Sequence, residues 1–231
     1  KNKTKMLDVI SSAALEWQIL PELKLTSQIN YKYGKSTNDQ YLPKKYTQAG
    51  NENKGRGIIG NTEGQNFVSE TFANYSKLFN EKHELGVMAG HSYEWYQYRD
   101  SYLTASGFVI ESLGNENMGS GEQAKNLLSN GFSKSKLLSY MGRLNYTFDN
   151  KYLATLTFRA DGSSKFGKNN KWAYFPSGAL SWKAHEEEFV KSWKVFDELK
   201  FRLSYGISGN QGISPYQTLS RYGTTKYYNE G

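Results

Sequence analysis

Apolar residues recur at every second position over long stretches of this chain. Between Ala13 and Ile19 the odd positions are Ala13, Leu15, Trp17 and Ile19, and the even ones are Ala14, Glu16 and Gln18. After Leu20-Pro21-Glu22 the alternation resumes at Leu23, Leu25, Ile29, Tyr31 and Tyr33, against Lys24, Thr26, Gln28, Asn30 and Lys32. A period of two marks a strand with one apolar and one polar face, and the proline between the runs pre-sets a tight turn. The pattern predicts a hairpin whose strands, at about ten residues, are long enough to cross a bilayer when tilted. A second hairpin is expected over 66–79 and 84–98, turning at Asn80-Glu81-Lys82. A third runs over 136–148 and 152–161, turning at Asp149-Asn150-Lys151, and a fourth over 172–182 and 199–208. In the third hairpin Leu138, Tyr140, Leu144, Tyr146, Phe148, Tyr152, Ala154, Leu156, Phe158 and Ala160 share the apolar face. Arg143, Asn145, Thr147, Thr155, Thr157, Arg159 and Asp161 share the other, as Lys200 and Arg202 do on the last strand.

Residues 34–65 and 99–134 lack this periodicity and read as long polar loops, with a shorter loop near 162–171. The connection 183–198 is expected to hold a helical turn or two. Short and long connections alternate, and the long polar ones, 183–198 apart, fall at one end of the strands. Membrane barrels are built this way, with short turns on one side and long loops on the other. Trp17, Phe79, Phe148, Tyr152 and Trp182 are placed at the short-turn ends, and Tyr31, Tyr33, Trp95 and Tyr98 at the long-loop ends, as two aromatic girdles. The fold expected is all-β, an antiparallel up-and-down transmembrane β-barrel.

Composition sharpens this picture. Aromatic residues make up 15% of the 231-residue chain, with 18 tyrosines, which argues for order. Mean hydropathy is −0.73, and no apolar run approaches the ~18 residues of a membrane helix. That excludes a helical membrane protein and leaves a barrel open, because alternating strands average out as hydrophilic. The net charge of +7 raises nucleic acid as a partner, but lysine and arginine are spread along the chain, so none is expected. The absence of cysteine excludes disulfide scaffolds, zinc ribbons and thiol enzymes.

Motifs for chemistry fail on context. Gly55-Arg56-Gly57-Ile58-Ile59-Gly60 has G-x-G-x-x-G spacing, but no helix is expected after it, so it reads as a flexible loop. His83 and His91 are eight residues apart on one strand, ~25 Å at ~3.3 Å per residue, and cannot share a metal. His185 opens the acidic run 186–188, which reads as a solvated turn. No G-x-S-x-G occurs. The Asn74 and Asn145 sequons fall within strands. The expectation is no catalytic residue, no metal and no cofactor. Arg159 and Asp161 form one pair on the polar face, read as an ordinary salt bridge of a lumen wall.

The stretch from Tyr152 to Pro215 is more specific. Arg159-Ala160-Asp161-Gly162-Ser163-Ser164-Lys165-Phe166-Gly167, then Tyr174-Phe175-Pro176-Ser177 with Trp182, then Leu199-Lys200 and Ser204-Tyr205-Gly206 to Gly209-Asn210-Gln211 follow in order. Taken together these motifs resemble the SusC/RagA family of TonB-linked outer-membrane transporters of Bacteroidota; residues 1–151 fit in pattern with weaker motifs. The resemblance implies a plugged barrel of about 22 strands, of which this chain would supply about eight and no plug. It implies an outer-membrane location and TonB-powered nutrient import, with TonB engaged through a part outside this chain. It further implies outer-membrane lipid around the barrel, a SusD-like lipoprotein over the loops 34–65 and 99–134, and oligosaccharide or peptide cargo. Arg143, Thr157, Arg159, Asp161, Lys200 and Arg202 are then the lumen-facing candidates. The rivals are a porin or siderophore receptor of similar architecture, and a soluble secreted glycan-binding β-sheet module.

Overall fold

The computed structural model describes residues 2–167, 169–210 and 212–218; Lys1, Lys168, Gln211 and residues 219–231 lie outside the described residues, including the last residue of the Gly209-Asn210-Gln211 motif. Eight strands form one sheet in sequence order: β1 (Asn2–Leu20), β2 (Leu23–Leu42), β3 (Arg56–Phe79), β4 (His83–Ser106), β5 (Leu127–Phe148), β6 (Tyr152–Ser163), β7 (Trp172–Lys183) and β8 (Lys200–Gly206). Helix α1 (Gln48–Glu52) lies between β2 and β3, and α2 (Glu188–Lys191) between β7 and β8. This is the all-β, up-and-down architecture expected from the alternation.

The short turns fall where they were expected. Asn80 and Glu81 have φ of 49° and 59°, and Asp149 and Asn150 have 49° and 52°. Two consecutive positive φ values make the turn whose twist matches that of the flanking strands. The 183–198 connection holds a 3₁₀ turn (Ala184–Glu186) followed by α2, also as expected.

The strands are longer than the alternation indicated, and this corrects the long loops. β2 runs to Leu42 and β3 begins at Arg56, so the first loop shrinks from 34–65 to 43–55. β4 runs to Ser106 and β5 begins at Leu127, so the second shrinks from 99–134 to 107–126. The polar ends of these strands carry no period of two because neither face there is apolar. Gly57 and Gly60 are strand residues rather than members of a flexible loop. A Cβ at Gly57 would come within 2.6 Å of Met118 Sδ, so glycine there admits a packed side chain. The upper girdle also needs correction. Trp95 and Tyr98 are three apart on one strand and face opposite ways, so Tyr98 is not part of it.

The chain divides into two compact units. One comprises Lys1–Trp17, Thr26–Thr71 and Tyr93–Lys134. Its core is small: Tyr41, Ala105, Phe108 and Met118, with Ile59 and Leu103 packed against them. Loops 43–55 and 107–126 meet over it, with the amide of Phe108 donating to Lys54 O at 2.9 Å and that of Gly107 to Asn53 O at 2.8 Å. The other unit comprises Gln18–Leu25, Phe72–Ser92 and Ser135–Gly231. Its sheet buries few apolar side chains. Leu156 is 60% exposed, Leu180 63% and Leu203 75%, and they stand on one face.

Candidate functional site

Strand register fixes which side chains of β5–β8 share a face, because directly opposed residues project to the same side. Leu144 stands opposite Leu156, which stands opposite Gly178, which stands opposite Tyr205. Tyr146, Ala154, Leu180 and Leu203 form the next such row toward the turns, and Phe148, Tyr152, Trp182 and Phe201 the one beyond it, with Phe148–Tyr152 and Trp182–Phe201 stacked. From Leu138 to Phe148 and over the residues paired with them on β6–β8, this face carries only apolar and aromatic residues and glycine. The alternate rows run Arg143–Thr157–Ser177–Gly206 and Asn145–Thr155–Ala179–Ser204, and form the polar face.

All six sequence-nominated residues lie on that polar face, in three groups. Arg143, Thr157 and Arg202 line one recess of about 470 Å³ together with Asn145, Thr155 and Ser204. Thr155 Oγ1 donates to Asn145 Oδ1 across it at 3.0 Å. Arg159 and Asp161 form a second group. The guanidinium Nε donates to both carboxylate oxygens at 2.7 and 2.9 Å, and Nη2 donates to Ser139 Oγ at 3.1 Å. This is the salt bridge expected of the pair. Lys200 stands apart, opposite Lys183 at the β7–β8 connection.

At that connection Glu187 gathers three donors: Tyr152 Oη at 2.6 Å, Lys151 Nζ at 3.2 Å and Trp182 Nε1 at 3.3 Å. The Tyr152 hydrogen bond, more than the lysine charge, holds the Glu187 carboxyl below the usual carboxylate range. The hydrogen bond to Glu187 likewise holds the Lys151 ammonium above its usual range.

The first unit has a recess that the sequence did not reveal. Asp8, Lys32, Gly34, Gly64, Tyr96 and Tyr98 line about 430 Å³ on one face of β1–β4. A Cβ at Gly34 would approach Asp8 Oδ1 to 2.9 Å. The available signal was parity: Lys32, Gly34, Tyr96 and Tyr98 sit at even positions of their strands, as do the polar residues Gln28 and Asn30.

An unclosed run of antiparallel strands with one apolar and one polar face is the wall of an outer-membrane type of barrel. Residues 5–231 match the model of the TonB dependent receptor-like β-barrel family, and the chain belongs to that family. It is 39% identical over 157 residues to a TonB-dependent receptor of Formosa agariphila, covering 68% of this chain and 16% of that protein. It is 53% identical over 81 residues to the TonB-dependent receptor SusC of Bacteroides thetaiotaomicron, covering 35% of this chain and 8% of SusC. The SusC-like character read from residues 152–215 is thus borne out. The structure of the RagAB peptide transporter superposes with a TM-score of 0.87 at 20% identity, covering all of this chain and 26% of that one, and shows the shared fold. The chain therefore spans less than a fifth of the length of these two curated relatives.

Proposed function

We propose that this chain is a length of barrel wall in a TonB-dependent outer-membrane importer and has no enzymatic role. The observation that carries the reading is the division of β5–β8 into an exposed aromatic and aliphatic face and a polar face with its own ion pair. An exposed apolar face of this extent has a natural solvent in lipid. On this reading the apolar face meets outer-membrane lipid. Arg143, Thr157, Arg159, Asp161, Lys200 and Arg202 face the lumen, where polar residues are hydrated. Family membership supports nutrient import driven by TonB through a part outside this chain. Likeness to SusC supports oligosaccharide cargo and a SusD-like lipoprotein partner, and the RagAB fold supports peptide as the alternative cargo.

The chain has no cysteine, so single cysteines are clean probes. In the intact receptor in lipid vesicles, Thr157→Cys and Ser204→Cys should react with a water-soluble maleimide. Leu156→Cys and Leu203→Cys should react only after detergent is added. Equal reaction at all four positions in vesicles, or a receptor that stays monodisperse without detergent, would overturn the membrane reading in favour of a soluble module.

A further inference from the structure

Arg143 of β5 and Arg202 of β8 line the polar-face recess of about 470 Å³, and among its described lining residues there is no carboxylate. The lining falls between 143 and 206, within one compact unit. On the same face Asp161 neutralises Arg159 at 2.7 Å. Among the described residues neither Arg143 nor Arg202 enters an ion pair. The recess therefore carries two positive charges with nothing of its own to offset them. A guanidinium offers a planar fork of donors that matches a carboxylate or a sulfate.

Register fixes how the two arginines are spaced. Arg143 heads the row Arg143–Thr157–Ser177–Gly206, and Arg202 ends the row Thr147–Leu153–Ser181–Arg202. They stand four residues apart along the strands and three strands apart across them. That is roughly 14 Å in each direction, or about 20 Å between backbones along the sheet. The arginines thus occupy opposite corners of the recess, a placement suited to two anionic groups on one extended chain rather than to one small ion. Between them lie Asn145, Thr155, Thr157, Ser177 and Ser204. Hydroxyls and amides both donate and accept, as the hydroxyls of a sugar do. Gly206 keeps this floor low, since a Cβ there would come within 2.8 Å of Ser177 Cβ. A peptide is served less well. β6 and β7 have strands paired on both sides, so the middle of the recess holds no free ladder groups for a peptide backbone.

We infer, on the import reading above, that this recess binds an anionic oligosaccharide, with Arg143 and Arg202 each on a carboxylate or sulfate of the chain and the hydroxyls between them on its sugar rings. The test is calorimetric titration of the intact receptor in detergent. The probes are oligogalacturonate and its methyl ester, a sulfated galactan oligosaccharide and its desulfated form, and oligoglutamate. Wild type should bind at least one of the anionic sugars more tightly than its neutral counterpart. Arg143→Gln and Arg202→Gln should each weaken that binding about five-fold, the range of an exposed ion pair. Together they should lose roughly 25-fold, because sites so far apart act independently. The corresponding lysine variants should fall between, keeping charge without the fork. Lys183→Gln removes a charge outside the recess and should bind as wild type. Equal binding of both anionic sugars and their neutral forms would overturn the proposal, as would wild-type affinity in the double variant. Tighter binding of oligoglutamate than of either anionic sugar would overturn it in favour of an acidic peptide. A double variant that loses stability to guanidinium but keeps the preference for the charged sugar would overturn it by assigning the arginines to carboxylates elsewhere in the receptor. Failure of the reconstituted receptor to float with vesicles, whatever its sugar binding, would overturn the membrane reading instead.

Discussion

The Tyr152 hydroxyl donates to Glu187 Oε1 at 2.6 Å, joining the first residue of β6 to the β7–β8 connection. Lys151 and Trp182 reach the same carboxylate, and Lys151 also lies 3.5 Å from Asp149. The carboxyl of Glu187 is lowered, first by the Tyr152 hydrogen bond. Its contribution is therefore complete above the ordinary carboxylate range and is lost as pH falls through the lowered value. The Lys151 ammonium is raised, so its contribution is complete below the ordinary lysine range and lost only as pH rises through the raised value. The connection should stay closed at neutral pH and loosen in acid. Amide protection over 184–199, taken against the intrinsic exchange rate at each pH, should fall below the ordinary carboxylate range in wild type. In Glu187→Gln it should already be lower at neutral pH and should keep only the acid response of Glu186, whose carboxyl is lowered by the Lys191 hydrogen bond. An acid response undiminished by the substitution would assign it to a group other than Glu187.

Leu156 and Thr157 are neighbours on opposite faces of β6, and Leu203 and Ser204 repeat the arrangement on β8. In the intact receptor Leu156→Lys should place a charge in hydrocarbon, costing about 2–4 kcal/mol near the midplane. Thr157→Lys should cost much less, since its row already carries Arg143. Leu203→Lys and Ser204→Lys should show the same contrast. Guanidinium titration of receptor folded in vesicles measures all four. A larger loss at 157 than at 156 would reverse the face assignment.

The turns and faces were legible in the sequence because each depends on local chemistry. Asp149-Asn150 tolerates positive φ, and alternation from Tyr152 to Ala160 names the apolar face outright. The strand ends were not legible. From Gly34 to Gln40 both parities are polar, so nothing in Lys35-Ser36-Thr37-Asn38-Asp39 distinguishes a strand from a loop. Its pairing depends on residues far along the chain. Tyr41 meets Phe108 edge-on at 5.4 Å, a contact spanning 67 positions. The six polar-face residues were legible by parity, yet their sorting into the Arg143–Arg202 recess and the Arg159–Asp161 pair required the register.

That distant contact also makes the loops 43–55 and 107–126 a single packed structure. Phe108 is 1% exposed, while its neighbour Val109 is 87% exposed. Phe108→Ala should remove about 3–5 kcal/mol of local stability. Limited proteolysis should then cut within 43–55 and 107–126 while sparing β5–β8. Val109→Ala should change stability by less than about 0.5 kcal/mol. Equal protease resistance of the Phe108 and Val109 variants would show that this core does not hold the loops.

Removing either partner of the Arg159–Asp161 pair should not cost the same. Asp161 keeps an acceptor oxygen when changed to Asn, and Arg159 retains Ser139 as a partner at 3.1 Å. The pair is part-exposed, with side chains 38% and 18% accessible, so loss of its charge alone should cost below about 1 kcal/mol. Arg159→Met instead strips the donor from Asp161 and from Ser139, whose residue is only 1% exposed. A buried acceptor left without its donor costs about 1–3 kcal/mol. Arg159→Met should therefore destabilise the receptor more than Asp161→Asn, and the double variant should lie close to Arg159→Met, with a coupling of roughly 0.5–1 kcal/mol. Guanidinium titration in vesicles measures the full cycle. If Asp161→Asn proves the costlier change, the aspartate, not the arginine with its contacts to Asp161, Ser139 and Met141, organises this part of the wall. Strict additivity would mean that the ion pair contributes nothing of its own.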